Sequence, residues 1–151
     1  MPFDDLLRQG ERVFPLATDD AHTIRDMFGG FVMIKATALE YDTIMTALEK
    51  GDFYASTGPQ IHELYLEDDV LHVSCSPAVE IMITTADRYT PSTRGYNRLH
   101  TEADINLSLC KKFAEDELAH TDMKPYFRVT VRDEHGNCAY TRPYFWDEFQ
   151  K

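Results

Sequence analysis

The sequence predicts a mainly β protein, in which residues 58–151 form an antiparallel β-sandwich behind a helix-and-strand segment at residues 1–57. Three observations predict this fold class. Apolar residues repeat with a helical period before Gly51, they alternate with polar residues in most later segments, and short turn signals join those segments. Several short strands without crossover helices bury their apolar faces most simply as two packed antiparallel sheets.

The first elements of the chain are short. Residues 3–9 are predicted to form a helix that ends at Gly10, because glycine accepts the left-handed conformation common after a helix. Residues 12–17 and residues 31–36 are mostly apolar, and we expect both stretches to be buried strands. These two strands and the helix that follows them make up the N-terminal segment.

The strongest helix prediction covers residues 38–50. Thr37 and Glu40 have the spacing of a capping box, and Gly51 ends the pattern. Apolar residues three or four positions apart predict one buried face: Tyr41, Ile44, Met45 and Leu48. The stretch GDFYASTGP at 51–59 then predicts a short buried strand and a turn, and we place the domain boundary within it, after Thr57.

After this boundary the apolar residues alternate with polar ones, a pattern typical of strands with one solvated face. The residues predicted to face the core are Leu71, Val73, Cys75, Val79, Ile81, Ile83, Ile105, Leu107, Leu109, Phe127, Val129 and Val131. Asp68-Asp69 and residues 133–137 have the composition of hairpin turns, and the second leads into a strand at 138–144. Residues 88–101 are predicted to be a polar loop, and residues 111–125 a charged connection with room for one helical turn.

The net charge and the cysteines of the chain indicate which binding partners and which cellular compartment to expect. The chain has 15 Lys and Arg residues against 26 Asp and Glu residues, a formal net charge of −11, so we expect neither a nucleic acid nor a membrane as partner. Cys75, Cys110 and Cys138 form no CxxC pair, which argues against a disulfide framework or a zinc knuckle. No apolar run approaches the roughly 20 residues of a membrane helix. We therefore expect a cytoplasmic protein with reduced thiols.

Asp20 and His22 are the candidate metal ligands. In an extended chain, residues two apart point to the same side, so this carboxylate and imidazole would face one pocket at the end of a strand. Mixed oxygen and nitrogen ligands suit a divalent zinc, manganese or iron ion. From the residues alone the alternative stays open that Asp20 caps the following turn and His22 is a surface residue.

The loop at residues 88–101 is a second candidate site. Arg88, Arg94 and Arg98, with Tyr89 and Tyr96, could contact an anionic ligand. The alternative is a solvated loop on an acidic protein. The remaining histidines show no HxH or HExxH spacing, and we assign none of them to a metal.

Several stretches together resemble the C-terminal part of bacterial proteins of the polymerase and histidinol phosphatase (PHP) family. They are FPLATDDAH, the Gly-rich approach to the apolar strand with Lys35, GDFYASTGPQI, and RVTVRDEHGNCAYTRPYF. The resemblance covers nearly the whole chain. It implies the last strand and helix elements of a truncated, distorted (β/α) barrel that binds divalent metal ions in its complete form. It also implies that Asp20 and His22 are metal ligands of a phosphoesterase.

The family's remaining ligands have no counterpart in this sequence. They come from an HxH motif, a further His pair and an acidic residue, which we expect upstream of Met1. Because two ligands do not hold a catalytic metal, we expect a C-terminal fragment that is inactive alone and binds no metal tightly. We expect a small phosphorylated substrate only for the complete enzyme. Apolar faces without barrel neighbours predict a homodimer through the N-terminal segment.

Two alternatives remain from the sequence. One is an independent β-sandwich module that binds a protein or a carbohydrate and keeps Asp20 and His22 as a vestigial metal site. The other is a subunit that completes a metal site together with a second chain.

Overall fold

The computed structural model describes residues 2–87, 90–94 and 98–149, without the side chains of Arg94 and Leu118. Its helices are α1 (Pro2–Arg8), α2 (Tyr41–Lys50) and α3 (Ser108–His120), with 3₁₀ turns at Ile24–Asp26 and Trp146–Phe149. The strands are β1 (Phe31–Ile34), β2 (Phe53–Ser56), β3 (Ile61–Glu67), β4 (Val70–Ala78), β5 (Glu80–Thr85), β6 (Ser92–Arg94), β7 (His100–Asn106), β8 (Tyr126–Arg132), β9 (Cys138–Thr141) and β10 (Tyr144–Phe145).

The strands form two antiparallel sheets. In the described residues, the larger sheet has the order β1-β2-β9-β8-β5-β6, with β10 paired to β8, and the smaller sheet has the order β3-β4-β7. Neither sheet closes into a barrel. The prediction of a mainly β, antiparallel protein is therefore confirmed. Since β1 and β2 lie in the same sheet as β8 and β9, the N-terminal segment shares a sheet with later strands.

Both sheets contribute to one apolar core. The alternation of the sequence accounts for it, because every second residue of β4, β5, β7 and β8 faces inward. The predicted residues buried in this core are Leu71, Val73, Cys75, Ile81, Ile83, Ile105, Leu107, Phe127, Val129 and Val131. Cys110 and Ala114, on the inner face of α3, also belong to this core.

The two predicted hairpin turns are confirmed. Asp68 and Asp69 both have positive φ, 48° and 63°, as the two central residues of a tight hairpin require, and aspartate tolerates this conformation better than most residues. In the second turn the Asp133 side chain accepts hydrogen bonds from the backbone N–H groups of His135 and Asn137, at 2.9 Å each. Gly136 takes φ 84° there.

The strand predicted through Leu109 is wrong beyond Asn106. The Leu107 N–H donates to the carbonyl of Asp69 at 2.7 Å, and the Asn106 side chain accepts the Ser108 N–H at 2.8 Å, so the chain leaves the sheet at this point. Helix α3 starts at Ser108 and runs for 13 residues, far longer than the single turn expected for 111–125. Leu109 consequently lies 48 % exposed instead of in the core.

The strand predicted at 12–17 is also wrong, because these residues have no regular secondary structure. Pro15 has no N–H to donate to a neighbouring strand. Phe14 instead packs edge-on against Phe53, with ring centroids 6.1 Å apart, and lies over Gly51. Leu16 points into solvent. The strand predicted at 138–144 is likewise two strands, β9 and β10, with Pro143 between them.

Helix α2 begins later than predicted. Glu40 is its N-cap and makes no side-chain capping bond, so the capping box with Thr37 does not form. The C-terminal end is as predicted, since Gly51 takes φ 78° and donates to the carbonyl of Leu48. The predicted buried face is wrong in part, because Tyr41 and Met45 are exposed and Ile44 and Leu48 are half-buried, while Ala47 is buried.

Helix α1 is attached to the larger sheet. Leu7 is fully buried against Tyr126 and Phe145. The buried Asp4 carboxylate accepts hydrogen bonds from the Tyr126 hydroxyl at 2.7 Å and from Arg128 at 2.9 and 3.0 Å. Burial alone would raise the pKa of Asp4, but the hydrogen bonds from Arg128 and Tyr126 together hold it below its ordinary value. None of the helices in the described part of the chain has the length and apolarity of a membrane span.

Candidate functional site

The loop that carries Asp20 and His22 has a defined conformation. The Asp19 carboxylate bridges it, accepting hydrogen bonds from the backbone N–H groups of Phe28, at 2.6 Å, and of Gly30. Gly30 lies against the backbone of Thr18, where an added Cβ would come within 2.9 Å of the carbonyl oxygen. Only glycine therefore fits at position 30 without a shift of the backbone.

A second carboxylate holds the turn after His22. Asp26 accepts hydrogen bonds from the backbone N–H groups of His22 and Thr23, at 3.2 and 2.9 Å, and from the Thr23 hydroxyl at 3.1 Å. The backbone bond from Thr23, followed by its hydroxyl bond, lowers the pKa of Asp26. Asp19 and Asp26, which flank the candidate pair, thus fix the conformation of the loop.

Asp20 and His22 are both exposed, but they do not lie in an extended strand. Asp20 has φ 48°, and its carbonyl oxygen lies 2.7 Å from Nδ1 of His22. Because a carbonyl oxygen only accepts, Nδ1 of His22 carries the proton, and in the neutral ring Nε2 keeps its lone pair. Metal-bound histidines commonly have this form, with Nδ1–H bonded to a backbone carbonyl. Nε2 of His22 is therefore the ring nitrogen that would bind a ligand.

Further ligands are not assembled beside this pair. Within residues 2–87, 90–94 and 98–149, no group of three or more His, Cys, Asp or Glu side chains is arranged to hold a metal ion. The assignment of Asp20 and His22 as metal ligands stays a prediction. The anion site expected at 88–101 also stays a prediction, since Arg88, Tyr89, Tyr96 and the side chain of Arg94 lie outside the described residues.

The buried thiols do not add a nucleophile. Burial raises the pKa of Cys75 to about 11, and burial together with the charge of Asp87 raises that of Cys110 to about 12. Both thiols are therefore protonated at neutral pH and face the core.

Several large apolar side chains of the N-terminal segment face solvent. We call them the N-terminal apolar set: Leu16, Ile24, Met27, Phe28, Leu39 and Tyr41. Ile24, Phe28 and Leu39 are 85, 88 and 95 % exposed. Phe28 also has φ 69°, a conformation that is unfavourable for a bulky residue. Such a concentration of exposed apolar side chains is typical of a surface that another protein segment covers.

A groove at the edges of the two sheets was missed by the sequence analysis. It has a volume of about 770 Å³ and lies between β1 and β2 of the larger sheet and β3 of the smaller one. The side chains that matter for its chemistry are Lys35, Asp52, His62, Glu63, Tyr65 and Arg142. These residues come from four separate stretches of sequence that share no motif. The sequence pattern could have indicated only Glu63 and Tyr65, as solvent-facing positions of an alternating strand.

The groove walls are held by specific contacts. Tyr65 stacks on His72 of the neighbouring strand, with ring centroids 4.6 Å apart, and His72 is hydrogen-bonded to Asp104 at 2.6 Å. On the other wall the Arg142 guanidinium lies 4.3 Å above the ring of Tyr144. Aromatic faces and charged groups therefore meet in one open cleft, an arrangement suited to binding a small molecule.

No family model, curated protein or solved structure matches the chain. The resemblance to the PHP family accordingly stays a prediction from the sequence.

Proposed function

We propose that this chain is the C-terminal part of a PHP-type metal-dependent phosphoesterase, in which Asp20 and His22 supply two ligands of a metal site that other residues complete. The observation that carries the proposal is the Nδ1···O contact of 2.7 Å between His22 and Asp20, which leaves Nε2 of His22 free and exposed.

The proposed roles follow from the chemistry of each group. When bound, a divalent zinc, manganese or iron ion would polarise a phosphate oxygen and lower the pKa of a bound water molecule. Nε2 of His22 and the carboxylate of Asp20 would hold that ion, while Asp19 and Asp26 keep the loop in place. Since a catalytic ion needs at least three protein ligands, we expect the chain alone to be inactive.

The N-terminal apolar set supports the same proposal. In a complete barrel, neighbouring strands and helices would cover these side chains, at a gain of about 1.5 to 3 kcal/mol for each large side chain buried. We propose that in the isolated chain a second copy covers them, because a two-fold interface buries the surface of both copies at once. Residues 58–151 would form most of a β-sandwich next to that barrel, and β1 and β2 of the N-terminal segment would extend its larger sheet.

A second candidate function is that of a β-sandwich binding module with a vestigial metal site. The groove of about 770 Å³ favours it, because it offers aromatic and charged groups in one cleft away from the metal loop. Both functions can coexist in one protein, since they use different residues.

Hydrolysis of a phosphate ester such as p-nitrophenyl phosphate, with added Mn²⁺ or Zn²⁺, tests the first proposal. We expect no turnover by this chain. We expect metal-dependent turnover by a longer protein that also contains the residues encoded upstream of residue 1. Asp20→Asn, which keeps a residue tolerant of positive φ, and His22→Asn should each abolish that turnover.

Asp122→Asn and His135→Asn change exposed residues of the same types and should leave the turnover unchanged. Turnover by the isolated chain that depends on Asp20 and His22 would contradict the proposed need for further ligands. A preceding coding sequence without an HxH motif would contradict the family assignment.

A further inference from the structure

The groove is built on an irregularity of the smaller sheet. In the pairing of β3 with β4 the register shifts between Ile61 and Glu63, so His62 is an extra residue without a partner. Bulges of this kind redirect side chains and are common at strand edges beside functional sites. Both His62 and Glu63 are exposed and line the groove.

Tyr65 presents one face of its ring to the groove. The other face stacks on His72 of β4 at an angle of 21° between the ring planes. Because β3 is the edge strand of the smaller sheet, the uncovered face is directed away from β4, toward the side on which the groove lies. The side chain is 50 % exposed. Contacts with His72, and through it with Asp104, hold this ring as a fixed platform.

Arg142 supplies fixed hydrogen-bond donors on the opposite wall. Its Nη1 donates to the carbonyl of Pro143 at 2.9 Å and to Glu148 at 3.1 Å. Glu148 balances its charge, and the ring of Tyr144 supports its plane. Among the described residues, Nε and Nη2 of Arg142 have no hydrogen-bond partner, so they remain available to a ligand.

The remaining charges of the groove have both signs and do not pair. No salt bridge joins Lys35, Asp52 or Glu63 to another side chain in the part of the chain that the structure describes. A ligand with a net charge would meet a like charge in this cleft. Hydroxyl groups both donate and accept, so they satisfy the ammonium and the carboxylates together.

We infer that the groove binds a neutral polyhydroxylated ligand, a short oligosaccharide, with one sugar ring stacked on the free face of Tyr65. This inference deepens the second candidate function, the binding module, and is independent of the metal site. The negative face of an aromatic ring attracts the C–H groups on the apolar face of a sugar. The volume of about 770 Å³ lies in the range of small-molecule sites and leaves room for more than one ring.

Titration of the full chain, followed by ¹H–¹⁵N NMR, tests the inference with three neutral trisaccharides: maltotriose, cellotriose and chitotriose. We expect at least one of them to cause saturable shifts at residues lining the groove, without added metal. Tyr65→Ala should weaken this binding about tenfold, since it removes the stacking platform. Glu63→Gln should weaken it about threefold, since it replaces a charged acceptor by a neutral one.

Two matched variants separate the groove from the rest of the surface. Tyr140→Ala removes an exposed tyrosine that does not line the groove, and Glu67→Gln changes an exposed glutamate on the same strand as Glu63. Neither should change the affinity. If Tyr65→Ala disturbs the fold, the sugar affinities of Glu63→Gln and Glu67→Gln are compared instead, and this comparison is sufficient to test the inference.

The inference is overturned if none of the three sugars binds, or if Tyr65→Ala and Glu63→Gln bind as well as the unaltered chain. Tighter binding of glucose 6-phosphate than of every neutral sugar would also overturn it, because the site would then select an anion. None of these outcomes bears on the metal-dependent hydrolysis, which is measured separately.

Discussion

Residues 2–8 and the N-terminal apolar set both belong to the N-terminal segment, but only the first stretch has side chains buried against the larger sheet. Leu7 is fully buried and Asp4 is bonded to Tyr126 and Arg128, whereas Leu39 is 95 % exposed. Side chains of similar apolarity thus have opposite environments within one segment. The difference shows that burial requires a complementary surface, which the sheet offers to α1 and does not offer to the N-terminal apolar set.

Removal of the Asp4 carboxylate should have the largest effect on stability. Asp4→Ala leaves the guanidinium of Arg128 buried without its partner, and breaking such a pair costs about 3 to 5 kcal/mol. Urea unfolding measures this as a lower free energy of unfolding. Asp5→Ala is the control, because Asp5 is the exposed neighbour on the same helix, and its loss should cost less than about 1 kcal/mol. Equal effects of the two variants would show that α1 is not held by the buried pair.

Truncation of a core residue should have the next largest effect. Leu107→Ala opens a cavity in the core shared by both sheets and should cost about 2 to 5 kcal/mol. Leu109→Ala makes the same chemical change at a half-exposed position and should cost less than about 1 kcal/mol. Unfolding midpoints of the two variants compare them directly. A Leu109 effect as large as that of Leu107 would contradict the start of α3 at Ser108.

The contribution of Asp4 should depend on pH. Its pKa in the folded protein lies below the ordinary value of 3.8, so its stabilisation is complete above that value and is lost as the pH falls through the folded pKa. The difference in unfolding free energy between the unaltered chain and Asp4→Asn should therefore be constant near pH 6 and shrink below about pH 4. Urea titrations at several pH values measure it. A difference that stays constant down to pH 2 would show that protonation of Asp4 does not reduce the stability of the protein.

Polar substitutions in the N-terminal apolar set should change association and hardly change stability. The triple variant Ile24→Ser, Phe28→Asn, Leu39→Ser alters exposed side chains and should shift the unfolding free energy by less than about 1 kcal/mol. We expect the unaltered chain to sediment as a dimer at micromolar concentration and the triple variant as a monomer. Leu99→Ser with Leu109→Ser, two exposed leucines outside the set, should leave the dimer intact. A monomeric unaltered chain would contradict the proposed second copy.

The predicted elements that proved correct depend on neighbours in the sequence. The alternation in β4, β5 and β8 and the turn at Asp68-Asp69 follow from local backbone geometry, as does the end of α2 at Gly51. Residues 12–17 failed because an apolar run alone does not supply a pairing partner, and Pro15 removes one donor. Helix α3 was missed because, among its described side chains, only Cys110 and Ala114 face the core, too few apolar residues to show a helical period.

The two candidate sites also differ in how far the sequence could predict them. Asp20 and His22 were visible as a motif, but the sequence could not show that Asp20 has positive φ or that its carbonyl binds Nδ1 of His22. The groove was invisible because Lys35, Arg142 and Tyr65 are brought together only by the edges of separate sheets.

By itself the sequence determined the antiparallel, mainly β character of this protein and most of its inward-facing residues, because strand period and turn chemistry are local properties of the chain. Tertiary structure alone decided that β2 lies between β1 and β9, that Leu107 is buried while Leu109 is not, and that the N-terminal apolar set is exposed. These outcomes depend on which surfaces meet, and surfaces from distant parts of a chain meet only when it folds.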